Sequence, residues 1–266
     1  MSLREVGPDR SHDIAPALNE TRVTAMHPSN AYHTCLPAPP PDGWAAVAAV
    51  VHAQGLRTTF DAPGFALITL TEPIDSHALR FAMIALKSAL DGVHFTRFGQ
   101  RLVYQSMARF DQQNTTKFHL DSGPDESLLM LGYEPTTVVS TIALADFTLA
   151  SHRLGITPAD FLREHNPMYT TNRAMIEPFI TTLTPFDVRL AQILIINNSK
   201  LGYDMNANYQ LGVLHQAEIP SPDAAKRRVI NSTMIRIAPS LAGESHTPSE
   251  QREFAETTHI SGAAGY

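Results

Sequence analysis

The sequence lacks several features that define familiar protein classes. Cys35 is the one cysteine in 266 residues, which excludes an intramolecular disulfide and a zinc site built from cysteines. Such a chain suits a reducing compartment, so we expect a cytoplasmic protein. Charged residues make up 17% of the sequence, and the net charge is −6 at pH 7. Because nucleic acids and anionic membranes attract basic surfaces, this acidic balance argues against both as partners.

Long apolar segments are also missing, as are the most familiar catalytic motifs. The apolar run at residues 45–51 is far shorter than the ~20 residues needed to cross a bilayer. The charged start of the chain has no apolar core of the kind that a secretory signal requires. No G-x-G-x-x-G, P-loop, H-E-x-x-H or G-x-S-x-G motif occurs. Nucleotide-fold dehydrogenases, P-loop enzymes, zincins and elbow hydrolases therefore lose support.

Composition divides the chain into three parts. Residues 1–42 are polar and proline-rich and predict a surface arm, and residues 240–266 predict a polar tail. Residues 43–239 carry the apolar periodicity of a folded domain. Helical patterns come first, and short strands follow with a helical insert between them. This order predicts an α+β fold, in which a β-sandwich or jelly roll carries helices on one face.

The periodicity also predicts the individual elements. The predicted helices span residues 44–54, 76–90, 157–164 and 173–181. The predicted strands span residues 64–70, 101–110, 136–145, 189–197, 212–217 and 227–237. Alternation along 101–110 puts Tyr104 and Arg109 on opposite faces. Each could line a pocket, although Tyr104 could equally be a core residue and Arg109 a surface charge.

The feature that suggests chemistry is the pair His119 and Asp121. On a strand, residues two apart point to the same face, so the imidazole and the carboxylate would lie side by side. With 12 histidines and 26 acidic residues in the chain, one such pair is expected by chance, and a surface pair is the alternative. With a second histidine, the two would form the facial triad of a non-haem Fe(II) site, which leaves positions open for a co-substrate and O₂.

Later strands supply further candidates. The apolar run 193–196 ends in asparagines, of which Asn198 either contacts a co-substrate or satisfies a turn. His215 lies on another apolar strand, directly before a proline-rich turn. The strand at 227–237 carries three arginines in an apolar setting. An arginine that points into a protein interior needs an anion, and a dicarboxylate would provide one. Arg236 is either a second pocket cation or a charge at the strand end.

Taken in order, these motifs resemble those of the Fe(II)/2-oxoglutarate-dependent oxygenase superfamily. The shared order is His-x-Asp, a strand of the I-I-N-N type, the sequence L-H-Q-A, and a strand with a basic residue, over residues 60–237. The resemblance implies a double-stranded β-helix that holds iron through His119, Asp121 and His215. The long stretch before His215 is attributed to the helical insert.

The same resemblance implies a co-substrate site. Arg228 would bind the distal carboxylate of 2-oxoglutarate, while its neighbour Arg227 would face the opposite way. Many members of the family carry a serine or threonine two residues after this arginine, where this chain has Ile230 and then Ser232. We accordingly expect Arg228, Tyr104, Asn198 and Ser232 at the co-substrate and Arg109 and Arg236 at the substrate.

The activity implied is an oxygenase that uses Fe(II), 2-oxoglutarate and O₂. It would hydroxylate or desaturate an unactivated carbon of a small molecule and release succinate and CO₂. The carboxylate at Asp121 argues against a halogenase, since halogenases of the family carry Gly or Ala there. Two alternatives stay open: a cupin-like metal protein without 2-oxoglutarate, and a β-sandwich binding module in which the three ligands do not converge. The oligomeric state has no signal in the sequence.

Overall fold

The structure, a computed structural model, describes residues 27–40, 42–170, 173–184, 186–187, 189–200 and 209–261. Its α-helices are α1 (Gly43–Gly55), α2 (Ser76–Phe98), α3 (Phe147–Leu154), α4 (Pro158–Glu164) and α5 (Pro248–Glu256). Its strands are β1 (His33–Leu36), β2 (Phe65–Leu70), β3 (Arg101–Asp111), β4 (Ser127–Tyr133), β5 (Thr141–Ala145), β6 (Ile180–Thr182), β7 (Gln192–Asn197), β8 (Leu214–Glu218) and β9 (Val229–Ala238). Within the described ranges, no helix combines the length and the apolar character needed to cross a membrane.

The strands form one large and one small sheet. The large sheet has the order β1-β2-β7-β4-β9-β3, and only its β1–β2 pair is parallel. The small sheet has the order β6-β5-β8 and is antiparallel. A cluster of buried residues from β2, β4, β7, β9 and β5 joins the two sheets. We call the face of the large sheet that meets this cluster its inner face.

Helices α1 and α2 cover the other face of the large sheet, which we call its outer face. Asp75 caps α2 by accepting a hydrogen bond from the Ala78 N–H at 2.7 Å, and Gly99 ends the helix at φ 68°. Because helices cover one face and the small sheet the other, every residue of β2, β4 and β7 is buried. The expected mixture of helices and strands, with helices on one face, is therefore present.

Three segments differ from the sequence-based expectation. Residues 127–133 carried no prediction, yet they form β4 in the middle of the large sheet. The helix expected at residues 173–181 is absent: a short 3₁₀ turn with Pro178 leads into β6. The polar segments also contribute structure within the described residues, since β1 pairs with β2 and α5 follows the predicted folded body. The remainder of the expected N-terminal arm, residues 1–26, lies outside the described residues.

Candidate metal centre

The two candidate histidines face each other across a two-residue antiparallel bridge. The His119 N–H donates to the His215 carbonyl at 3.0 Å, and the His215 N–H donates to the His119 carbonyl at 3.0 Å. Directly opposed residues of this kind project their side chains to the same side. The ring centroids of the two histidines are consequently 4.2 Å apart. The sequence separates these residues widely, and the bridge brings them together.

Asp121 completes the group. Its Oδ1 atom lies 3.3 Å from His119 Nε2 and 3.8 Å from His215 Nε2. One potential ligand atom from each of the three residues lies within 4.8 Å of the others, and all three residues are at least partly buried. In the described part of the chain this is the one group of three or more such side chains with that spacing. Two imidazoles and one carboxylate are the donor set of non-haem Fe(II) sites, so the residues fit that metal.

Hydrogen bonding and burial prepare the two rings to bind a metal. His119 Nδ1 lies 2.7 Å from the Lys117 carbonyl, which can only accept, so Nδ1 carries the hydrogen and Nε2 presents a lone pair. Burial opposes protonation of His119, but the hydrogen bonds that the protonated ring donates to Asp121 and Lys117 outweigh burial and raise its pKa, so a bound metal ion would replace the proton on Nε2. Burial lowers the pKa of His215 to about 4, so this imidazole is neutral at pH 7.

The side-chain amide of Asn198 binds the backbone of Asp121. Its Oδ1 accepts from the Asp121 N–H at 2.9 Å, and its Nδ2 donates to the Asp121 carbonyl at 3.1 Å. The same Nδ2 lies 3.2 Å from the Ser127 hydroxyl. Both polar atoms of the amide are therefore used within the protein. The structure gives Asn198 a positioning contact with Asp121, where the sequence suggested contact with a co-substrate.

Arg228 is buried at the far end of the inner face, with 1% of its surface exposed. Its Nε donates to the Ser140 hydroxyl at 3.1 Å and its Nη1 to the Gln112 carbonyl at 3.1 Å. The guanidinium carbon lies 5.2 Å from the centre of the Tyr133 ring. Nη2 has no hydrogen-bond partner of ordinary length and angle among the described residues. Burial lowers the pKa of Arg228, while Tyr133 and Asp111 oppose that change, and an anion bound here would further stabilise the buried cation.

Tyr133 connects this arginine electrostatically to the triad. Burial raises the pKa of the Tyr133 hydroxyl to about 12, and the Asp121 carboxylate raises it further, while Arg228 opposes the change. Asp121 and Arg228 therefore both affect the pKa of the Tyr133 hydroxyl. Arg227, by contrast, is exposed on the opposite side of the strand start. Of the two neighbouring arginines, Arg228 is the one that faces the interior.

The inner face of β9 carries the two remaining candidates from this strand. Ile230 and Met234 belong to the cluster between the sheets, so Ser232 and Arg236, which share their alternation, lie on the same face. Ser232 is opposite Leu131 and Ala108. Arg236 is opposite Ser127, at the end of the strand that is nearer Asp121. The alternation of inward-facing and outward-facing residues that the sequence predicts for this strand is therefore confirmed.

Tyr104 and Arg109 lie elsewhere, which corrects their expected pocket roles. The pairing of β3 with β9 shifts register between Tyr104 and Ser106, as a β-bulge does, so alternation fails at that point. Tyr104 packs in the cluster under the helices, with Lys87 Nζ 4.5 Å from its ring centre. Arg109 pairs with Glu134 at 3.0 Å on the same outer face. The bulge puts both residues on the outer face, away from the triad.

Sequence reasoning did not identify the residues around Arg228. Gln112 follows β3, Tyr133 ends β4, and Ser140 precedes β5, so three separate segments supply the surroundings of one side chain. Tyr133 carried one usable signal, a polar hydroxyl at the end of an entirely apolar run. The other two are ordinary loop residues in the sequence and are recognised only once the strands are paired.

Comparisons with known proteins add little to this geometry. No protein-family model matches the sequence, and no curated protein matches it. Among solved structures, an iron and alpha-ketoglutarate-dependent endoperoxidase, NvfI, described as having a different conformation, is 11% identical with a TM-score of 0.35. That likeness covers 66% of this chain and 77% of the other. A tryptophan-to-phenylalanine variant of NvfI is 12% identical with a TM-score of 0.33, and the likeness covers 69% and 80% of the two chains.

Proposed function

We propose that this protein is an Fe(II)- and 2-oxoglutarate-dependent oxygenase with a double-stranded β-helix core. It hydroxylates or desaturates an unactivated carbon of a small-molecule substrate and releases succinate and CO₂. The observation that carries the proposal is the convergence of His119, Asp121 and His215, with ligand atoms within 4.8 Å of one another. Bound iron would supply O₂ activation coupled to the decarboxylation of 2-oxoglutarate.

The residues of the chain have distinct tasks in this proposal. His119 Nε2, His215 Nε2 and the Asp121 carboxylate hold the metal, and the Lys117 carbonyl fixes the orientation of the His119 ring. Asn198 fixes the backbone of Asp121. The apolar cluster between the sheets excludes water from the space next to the metal.

Arg228 supports 2-oxoglutarate as the co-substrate. Its buried guanidinium, which lies beside the Tyr133 hydroxyl, suits a carboxylate, because a guanidinium can form paired, charge-assisted hydrogen bonds with one. The Tyr133 hydroxyl, kept protonated by its raised pKa, is a further donor toward the same carboxylate. Ser232 lies on the inner face of β9 between Arg228 and the end that carries Arg236, so we propose that it lines the co-substrate space. A cupin-like protein that binds a metal alone has no need of a buried arginine in this position.

The test is an anaerobic titration of the full chain with Fe(II) and 2-oxoglutarate, followed by visible absorption. We expect a weak charge-transfer band that is absent in His215→Ala. In Arg228→Gln, the 2-oxoglutarate concentration for half-saturation should rise by about tenfold or more, since a charge-assisted pair is lost. Arg227→Gln is the matched control and should titrate like the parent, because its side chain is exposed on the opposite side.

Each other outcome contradicts part of the proposal. Metal binding without a band would favour the cupin-like alternative. A chain that binds neither metal nor 2-oxoglutarate would show that the three ligands do not act together. Thermal unfolding of each variant should accompany the titration, so that a loss of the band is attributed to the site only in a folded protein. Arg228→Lys, which keeps the charge and loses the paired geometry, provides a second reading if Arg228→Gln does not fold.

A further inference from the structure

The inner face of β9 carries a cation at each end of the strand. In order along the strand, its inner-facing residues are Arg228, Ile230, Ser232, Met234 and Arg236. Neighbours on one face are separated by about 7 Å, since a strand rises ~3.4 Å per residue. Arg228 and Arg236 therefore lie at opposite ends of a row about 27 Å long. The proposed function uses the first arginine and leaves the second without a task.

Contacts place Arg236 at the end of β9 that is nearer Asp121. Arg236 is paired in register with Ser127, whose side chain lies on the same inner face. The Ser127 hydroxyl lies 3.2 Å from Asn198 Nδ2, which holds the Asp121 carbonyl at 3.1 Å. Met234, the inner neighbour of Arg236, also contacts Asn198, at 3.8 Å. One short chain of contacts thus links Arg236 to the metal ligand.

Arg236 forms no salt bridge among the described residues. It is partly buried, and it forms no hydrogen bond or ion pair with any residue in the described ranges. The two acidic residues before its cross-strand neighbour contact other groups. Asp125 lies 3.5 Å from Lys200 Nζ, and the Glu126 carboxylate accepts from the Gln210 N–H at 3.2 Å. A partly desolvated guanidinium in this position is a ready partner for a carboxylate or phosphate.

We propose that Arg236 recognises a carboxylate on the substrate, so that the oxygenase acts on a small carboxylic acid. This inference rests on the proposed function, but the binding of an anion at Arg236 can be tested in the metal-free chain. Arg228 would hold the co-substrate from one end of the strand. Arg236 would hold the anionic end of the substrate from the other end, which leaves the carbon to be oxidised between them. Such a two-ended arrangement fixes the substrate carbon relative to the metal.

The test is ligand-observed NMR on the metal-free full chain with matched pairs of probes. The pairs are benzoate with benzamide, phenylacetate with phenylacetamide, and hexanoate with hexanamide. We expect at least one carboxylate to bind about tenfold more tightly than its amide, because only the carboxylate can pair with the guanidinium. Arg236→Gln should remove that preference and Arg236→Lys should retain part of it. Arg227→Gln, an exposed arginine near the other end of the strand, should leave it unchanged.

Measurements in Arg228→Gln separate the two anion sites. A preference that persists in Arg228→Gln and disappears in Arg236→Gln supports the proposal. A preference lost only in Arg228→Gln, or no preference for any carboxylate in the parent, overturns it. The proposed function fails independently, through the absence of the visible band with Fe(II) and 2-oxoglutarate. The two failures are therefore read in different experiments, and neither hides the other.

Discussion

The side-chain amide of Asn198 holds both backbone polar groups of Asp121. The acceptor Oδ1 and the donor Nδ2 contact the N–H and the carbonyl of one residue, at 2.9 and 3.1 Å. This double contact imitates the pairing of a neighbouring strand at a point where Asp121 lies outside every strand. A carboxylate that must meet two histidines is thereby fixed through its own backbone.

Removing this contact should weaken the metal site more than the fold. In Asn198→Ala, we expect metal affinity to fall about 10- to 100-fold, the usual cost of losing an outer-sphere contact to a ligand. The free energy of unfolding should fall by about 1–3 kcal/mol, since buried backbone groups lose their partners. Metal titration with Co(II) and urea denaturation measure the two effects. Asn166→Ala, which removes a turn contact to the Met168 N–H, is the control and should leave metal affinity unchanged.

Two buried tyrosines on opposite faces of the large sheet offer a paired test. Tyr133→Phe should weaken 2-oxoglutarate binding by about 1 kcal/mol, or roughly fivefold, because it removes a donor next to Arg228. Tyr104→Phe should leave binding unchanged, since that residue lies under the helices. It should also raise stability slightly, because the Tyr104 hydroxyl has no hydrogen-bond partner among the described residues. Weaker 2-oxoglutarate binding in Tyr104→Phe would contradict its placement on the outer face.

Glu134 should matter for stability and not for binding. Its carboxylate lies 3.0 Å from Arg109 and 3.5 Å from Arg80, and both arginine side chains are largely or fully buried. Glu134→Gln would remove the ion-pair partner of two buried guanidinium groups, which costs about 3–5 kcal/mol. Chemical denaturation measures this loss, and Glu253→Gln, an exposed acid on α5, serves as the control. An effect of Arg109→Gln on substrate affinity would restore the pocket role that the bulge argues against.

The buried pair His52 and His94 should make stability depend on pH. Their rings are joined by a 3.0 Å hydrogen bond, and burial is the main cause that lowers both pKa values from 6.5 to about 4. The unfolded chain binds protons near pH 6.5, whereas the folded chain resists them until about pH 4. This contribution of the pair is therefore complete above pH 6.5 and is lost as the pH falls toward 4, with a total of about 3 kcal/mol or more.

Denaturation at a series of pH values checks this dependence. In His94→Gln, the amide replaces one titrating ring, so the loss of stability between pH 6.5 and 4 should be smaller than in the parent. His259→Gln, at an exposed position, should reproduce the slope of the parent. Equal slopes in His94→Gln and the parent would mean that other groups, such as His215, account for the whole acid sensitivity.

Sequence patterns identified features that depend on one strand and missed those that depend on several. Alternation along the last strand correctly grouped Arg228 with Ile230, Ser232, Met234 and Arg236, because β9 is regular over that stretch. Alternation failed along β3, because one extra residue changes the face of everything beyond it. The sequence gave no sign of that bulge, since its cause lies in the pairing with the neighbouring strand.

The metal ligands and the surroundings of Arg228 show the same difference between local and long-range features. His119 and Asp121 are near neighbours in sequence, and their spacing on an extended segment was enough to suggest a shared face. The surroundings of Arg228 combine Gln112, Tyr133 and Ser140, whose proximity follows only from the stacking of two sheets. Long-range pairing of this kind is not encoded in local composition.

The contacts of α2 with the later segment impose an order on folding during synthesis. Arg80 donates to the carbonyls of Ala255 and Thr257, and Lys87 pairs with Glu244. These partners follow more than 150 positions later in the chain. At a translation rate of about 5–20 residues per second, α2 waits roughly ten to thirty seconds for them. During that interval Arg80 and Lys87 lack these partners, so both cations stay hydrated until the later segment has been synthesised.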